Sequence, residues 1–340
     1  MMKIPTMSKD VSVRVGLALA VFVVFAVSVP GYASTGNVYA ILESCALIGI
    51  VAAGLAATML AGELDLSVGS VAACAGVVAV QMAGYGVVVA VISATVIAII
   101  FGALQGILIA RLGISSLVFT LGTFIGLRGV AYVLSNERTV TLDLSDLSVT
   151  TDLRERLFVF SPFSITMIVI VVAVGCLLQF TRIGREIYAV GAARKESRAA
   201  GVSQNKPLIL AFTLSAGLAA VAGSLASLRS ASATPDGYAT LLVTAVTAAL
   251  IGGISLYGGR GTIVGVFVGV LTLQFLLSGL ALQGAPFWAS SLATGAVLLA
   301  FLAVDIATAD SPLGQAIRRF RVSRRTSPPS DVSTPSFASA

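Results

Sequence analysis

The chain contains no histidine in its 340 residues. That removes the side chain most often used as a metal ligand and as a general base near neutral pH. Cysteine is scarce as well. Cys45, Cys74 and Cys176 each lie inside an apolar run and none forms a Cys-x-x-Cys pair, which argues against a disulfide framework or a thiolate metal site. Charge is the third shortage. Only 11% of residues are Asp, Glu, Lys or Arg, against roughly 25% in a soluble domain. Aromatics make up 7% and do not interleave with a basic face, so nucleic-acid binding is excluded. With no nucleophile–base pair and no cluster of metal-binding side chains, no catalytic and no metal residue is expected.

What is abundant is apolar surface. The composition is 57% hydrophobic with a mean hydropathy of +1.01, too little polarity to cover a water-soluble globule. A spanning helix needs about 20 apolar residues, so the chain reads as an all-α, polytopic membrane bundle of about ten spans. The apolar runs are Val15–Val29, Tyr39–Leu60, Val68–Ala83, Gly86–Ala110, Ile114–Leu134, Phe163–Phe180, Pro207–Leu228, Leu241–Ser255, Gly261–Leu282 and Phe287–Val304. The first resembles a signal peptide, but its length favours an uncleaved span. The third and eighth are short and rich in Gly and Ala, and suit tilted, broken or re-entrant segments.

Charge placement orients the bundle. With ten spans and the N-terminus inside, sixteen cations fall on the inner side, among them Lys3, Arg14, Arg111, Arg182, Arg194, Arg198, Arg260 and Arg318. Only Arg138, Arg154 and Arg156 fall in outer loops. This bias places both termini in the cytoplasm. It also divides the chain into a cytoplasmic N-terminus (1–14), a transmembrane domain (15–305) and a basic tail (306–340). The tail is rich in Arg, Ser and Pro, a composition of disorder, with arginines placed near anionic headgroups of the lipid bilayer.

Small-xxx-small pairs at Gly102/Gly106, Gly122/Gly126 and Gly265/Gly269 predict close helix packing. Glu43 lies near the outer end of the second span and reads as an acid that snorkels to water. The outer loop Ser135–Ser161 carries five acids and reads equally as a solvated loop or as a contact for a soluble partner. In the run 61–70, Asp65 or Ser67 caps the next span, with a gate or partner contact as the competing role. The glycine-rich run 251–262 lacks the Gly-Lys-Ser/Thr ending of a phosphate loop. It reads instead as a tight cytoplasmic turn of Gly258, Gly259 and Gly261 anchored by Arg260. Gln105, Thr120, Thr123 and Arg128 could line a polar passage.

The inner loop 181–206 exceeds the usual 2–8 residues between bundled helices, by about threefold. Its cations Arg182, Arg185, Arg194, Lys195, Arg198 and Lys206 outnumber Glu186 and Glu196. An alanine-rich core and a Gly201 stop predict one short helix along the membrane surface, offered to a partner.

Four motifs now stand in order: Ala61-Gly62-Glu63-Leu64-Asp65-Leu66-Ser67-Val68-Gly69-Ser70, Thr120–Tyr132, Tyr188–Gly201 and Ile251–Gly261. Together they resemble the inner-membrane permeases of bacterial ABC importers for ribose, xylose, arabinose and related monosaccharides, from about Tyr39 to Val304. The resemblance implies a core of two permeases, a second copy or a paralogue, bound to cytoplasmic ABC ATPases and served by a periplasmic sugar-binding protein. It implies that Gly191, Ala193, Arg194, Arg198, Ala200 and Gly201 belong to the coupling segment that meets the ATPase. It also implies that this chain binds no cofactor, ATP and Mg being held by the partner. The chain departs from the pattern at Glu63, where the family commonly has Gly-Gly before Ile-Asp-Leu-Ser, at Ala192 in place of Asn, and at Ala239-Thr240 where Glu often stands. A branched-chain amino acid permease and an ion-driven carrier are the competing readings; the second normally needs intramembrane acids for its coupling ion.

Overall fold

A computed structural model describes residues 9–308, so the expected tail falls almost wholly outside the described residues, as does most of the N-terminal segment. The described chain forms thirteen α-helices: α1 (Lys9–Ser28), α2 (Thr35–Leu60), α3 (Val68–Gln81), α4 (Val87–Leu112), α5 (Ser116–Ser135), α6 (Ser148–Arg154), α7 (Pro162–Phe180), α8 (Arg182–Ala192), α9 (Arg194–Ala199), α10 (Asn205–Arg229), α11 (Leu241–Ile251), α12 (Ile263–Leu282) and α13 (Phe287–Thr308). Two-residue strands β1 (Val140–Thr141) and β2 (Ser232–Ala233) pair antiparallel.

Eight of these helices are long and apolar enough to cross a membrane. The other two of the expected ten runs, the third and the eighth, form the shorter apolar helices α3 and α11. At roughly 1.5 Å per residue, α3 and α11, with 14 and 11 residues, reach only about 21 and 16 Å, against about 30 Å of hydrocarbon. Mostly non-helical backbone precedes each of them. The segment 61–67 turns back into the bundle before α3, and the segment 230–240 descends before α11. The two meet where the Tyr238 carbonyl lies against Gly69. Such backbone is tolerated at membrane depth only when buried in protein, and Asp65, Ser67 and Val68 are fully buried.

The interior is built by α2 and α10. In its most apolar window α2 is 78% buried, whereas the corresponding window of α13 has no buried residue, so α13 lies at the periphery. Small residues let the central backbones touch. A Cβ added at Gly102 would sit 2.7 Å from the Phe212 carbonyl oxygen, and one at Gly106 would sit 2.8 Å from Ile209 Cα. The Gly265/Gly269 pair packs in the same way against Gly252 and Ala248. Where lipid supplies no hydrophobic drive between helices, such contact is the main source of association. At the edge, α1 packs along α12, with the Phe22 ring set at a tilt against both Tyr32 and Phe275.

The outer loop is a folded cap. Strand pairing ties it to the α10–α11 segment, Val149 and Leu153 of α6 are buried, and Thr150 Oγ1 donates to the Leu228 carbonyl at 3.1 Å. Glu43 does not snorkel. It is buried, pairs with Arg229, and accepts from Ser161, the residue that caps α7. The cap brings the arginine to the acid and so removes its need for water.

Candidate functional site

Three of the four motifs converge on one point at the end of the bundle where the 181–206 segment lies. The α2 helix ends at Leu60, whose carbonyl accepts the N–H of Gly259 at 2.9 Å. Gly191 of α8 wedges between them: a Cβ there would fall 1.9 Å from the Leu60 oxygen and 2.8 Å from Gly259 N. A Cβ at Gly258 would press on Gly62 Cα and the Gly191 carbonyl, both at 2.8 Å, and one at Gly259 on Ala192 Cα at 2.5 Å. Gly62, Gly191, Gly258 and Gly259 are thus a backbone-to-backbone knot: there is no space for a side chain at Gly191, Gly258 or Gly259, and Gly62 holds a positive φ of +78° that disfavours one. A shift of α8 must be felt at both the α2–α3 and the α11–α12 turns, because close-packed backbone has no slack.

The expected single surface helix is two. The break falls at Ala193 (φ −156°, ψ 85°), between α8 and α9, and Gly201 follows α9 at φ +81°. The inner face of α8 buries Ile187 and Val190, and Tyr188 donates to the Gly261 carbonyl at 3.0 Å. Burial pushes the Tyr188 phenol above its ordinary range, so it stays a neutral donor. On α9 only Ser197 is buried; Lys195, Arg198, Ala199 and Ala200 face outward. Arg194 is engaged by its own chain. It pairs with Glu63 at 2.5 Å and reaches the Ala61 carbonyl at 3.5 Å, and Glu63 also accepts from Ser116 at the start of α5.

Asp65 and Ser67 do not share the turn with Gly258, Gly259, Arg260 and Gly261. They lie deeper, because the re-entrant segment carries them to the level of Ser215, ten residues into α10, about 15 Å from its start. Asp65 is fully buried. Its Oδ1 accepts from Ser67 N at 3.0 Å, Ser67 Oγ at 2.6 Å and Gln105 Nε2 at 3.3 Å, and its Oδ2 accepts from Ser215 Oγ at 2.7 Å. Ser67 holds the cap position of α3, but its side chain makes no capping bond and donates to Asp65 instead. A buried carboxylate is tolerable in such a place only when its lone pairs are satisfied.

Three of the four passage candidates join this cluster. Gln105 accepts from Thr123 Oγ1 at 2.9 Å, Thr123 donates also to the Thr120 carbonyl, and Thr120 to the Leu64 carbonyl at 3.4 Å. Gln105 and Thr120 are buried, so within one chain they form a lock between helices and not the wall of an open channel. Arg128 stands apart, nearer the outer end. It lies over the Phe124 ring and pairs at 3.5 Å with Asp236, which also accepts from Tyr132. Glu63, Ser116 and Ser215 escaped the sequence reading. Glu63 carried a faint signal as a departure from the family pattern, but Ser215 is one hydroxyl in a small-residue helix and carried none. No group of three or more His, Cys, Asp or Glu fit to hold a metal occurs among the described residues.

Known proteins resemble this chain over most of its length. It is 33% identical over 281 residues to the ribose import permease protein RbsC of Escherichia coli strain K12, covering 81% of this chain and 87% of that protein. It is 33% identical over 290 residues to the autoinducer 2 import system permease protein LsrC of Enterobacter sp. strain 638, covering 84% of each. It is also 33% identical over 289 residues to the inner membrane ABC transporter permease protein YjfF of Escherichia coli strain K12, covering 81% of this chain and 85% of that protein. No solved structure matches it. The glycine knot, the short helices α3 and α11 and most of the multi-pass bundle lie within residues 37–302, the stretch matched by the family described as "Branched-chain amino acid transport system / permease component", and the chain belongs to that family.

Proposed function

We propose that this chain is the membrane-spanning permease subunit of an ATP-driven importer for a ribose-type monosaccharide. In this reading it sits in the bacterial inner membrane with both termini in the cytoplasm. It works with a second copy or a paralogue, a cytoplasmic ABC ATPase and a periplasmic sugar-binding protein. ATP and Mg stay on the ATPase, and this chain does no chemistry. The single observation that carries the reading is the glycine knot, because it gives a force applied at α8–α9 a rigid route to the turns of both short helices. The relatives named for ribose import support the substrate class.

The outward residues Lys195, Arg198 and Ala199 of α9, with Ala200 just beyond its end, are the face offered to the ATPase. Gly191 and Ala193 transmit the movement and Gly201 ends the segment. Arg194 acts within the chain, tying α9 to Glu63 and so to α5. ATP-driven closure then biases a two-state equilibrium of the bundle, and the α5 face, with Thr123 beside it, opens toward the second permease. A branched-chain amino acid is the second substrate reading, favoured only by the wording of the family description.

The test is reconstitution. Purification in mild detergent should recover an ATPase with a phosphate loop, and proteoliposomes of the assembly with its binding protein should take up labelled ribose when ATP is supplied. Uptake of labelled leucine but not ribose would shift the substrate class, and recovery of no ATPase would sink the reading. Charge reversal of Lys195 and Arg198 together should release the ATPase. Arg194→Glu should retain it while slowing uptake, and Glu63→Arg in the same chain should restore uptake at least in part.

A further inference from the structure

At the same end of the bundle a cavity of about 540 Å³ opens between α1, the α11–α12 turn and α13. Its wall is divided. Arg14, Arg260 and Asp305 supply the charge, and Val11, Phe301 and Val304 supply apolar surface. Arg14 is half-buried, and its guanidinium lies directly over Gly253, where an added Cβ would be 2.1 Å from Cζ. A missing side chain makes the seat for that arginine. The Asp305 carboxylate is turned to the polypeptide and accepts from Ser255 Oγ at 3.2 Å and Leu256 N at 3.1 Å. The 20-residue helix α12 also starts at this cavity, capped by Thr262, so its positive dipole end lies nearby. The apolar wall continues onto residues of α1 and α13 that face outward, Val13, Leu17 and Leu299 among them.

We propose that this cavity holds the phosphate headgroup of an anionic phospholipid, with Arg14 as its main cation and the acyl chains lying along α1 and α13. The ligand chemistry is a phosphate ester, available either from a lipid or from a soluble metabolite. The apolar half of the wall, continuous with the lipid-facing helices, assigns it to the lipid. Basic pockets between transmembrane helices recognise headgroups on this principle.

The experiment is native mass spectrometry on the delipidated full-length permease, titrated with phosphatidylglycerol or phosphatidylcholine of the same acyl chains. The unaltered protein should prefer phosphatidylglycerol. Arg14→Ala should weaken that binding about fivefold, roughly the worth of one basic side chain at an anionic surface, and Arg14→Lys should keep most of it. Circular dichroism melting of each variant checks that the bundle is intact, and if Arg14→Ala melts early the comparison rests on Arg14→Gln. Equal binding of both lipids, or an undiminished preference in the Arg14 variants, would overturn the site. Arg14-dependent binding of glycerol phosphate without any lipid preference would overturn the lipid assignment in favour of a soluble phosphate ester.

Discussion

Helices α4 and α5 carry the same pattern of small residues and use it in opposite ways. Gly102 and Gly106 of α4 are pressed against the backbone of α10, whereas a Cβ at Gly122, Gly126 or Gly129 of α5 would meet nothing within 4 Å. The neighbouring side chains agree: Leu117, Val118, Leu121 and Ile125 of α5 are exposed. A small-xxx-small pair lets a second helix approach closely, but the pattern does not say which helix. On α4 the partner belongs to the same chain. On α5 the bare face points out of it, and under the proposed function the second permease is what covers it.

The largest break in this comparison should come from Gly106→Leu. The added side chain meets the Ile209 backbone, which cannot move aside, so we expect about 3 kcal/mol of lost stability, the upper end for overpacking. An early melt and poor yield in detergent would register it. Asp65→Ala comes next. It removes the carboxylate that locks the re-entrant segment to α4 and α10 and leaves Gln105, Ser67 and Ser215 short of an acceptor, at about 2 kcal/mol. Asp65→Asn, which keeps an acceptor oxygen, should melt between Asp65→Ala and the unaltered protein. Gly122→Leu should change the melting of the single chain least, within about 0.5 kcal/mol as for a surface site. Its effect should appear in assembly, as a smaller dimeric fraction on size exclusion and slower uptake. An equal loss of stability from Gly122→Leu and Gly106→Leu would erase the distinction between the two faces.

Much of the fold was legible because membrane burial imposes simple rules. Every run of the required length that was expected to span does form a helix, and the two short runs form the short helices α3 and α11. The three motifs of the candidate site were visible as glycine and charge in an apolar chain. What could not be read was which of them touch. Gly191 and Gly259 are separated by 68 positions and Asp65 and Ser215 by 150, and nothing local to Ser215 announces an acceptor opposite. Glu43 was misread for the same reason: its partner Arg229 lies at the far end of α10. The pairing of Arg194 with Glu63 was not legible either, because Glu63 belongs to another motif.

The amino-acid order alone determined that this is a helical, multi-pass membrane protein, because its continuous apolar runs of about 20 residues satisfy their backbone in hydrocarbon as helices, whereas barrel strands alternate apolar with polar residues over shorter segments. Composition also excluded the histidine-based chemistries, and four ordered motifs carried the family. Tertiary structure decided the rest. It made α3 and α11 short helices, split the segment 181–206 at Ala193, drew four glycines into one knot, and separated the packed face of α4 from the bare face of α5. Those outcomes depend on which backbones come within van der Waals reach, and close approach is a property of the folded chain that no single segment encodes.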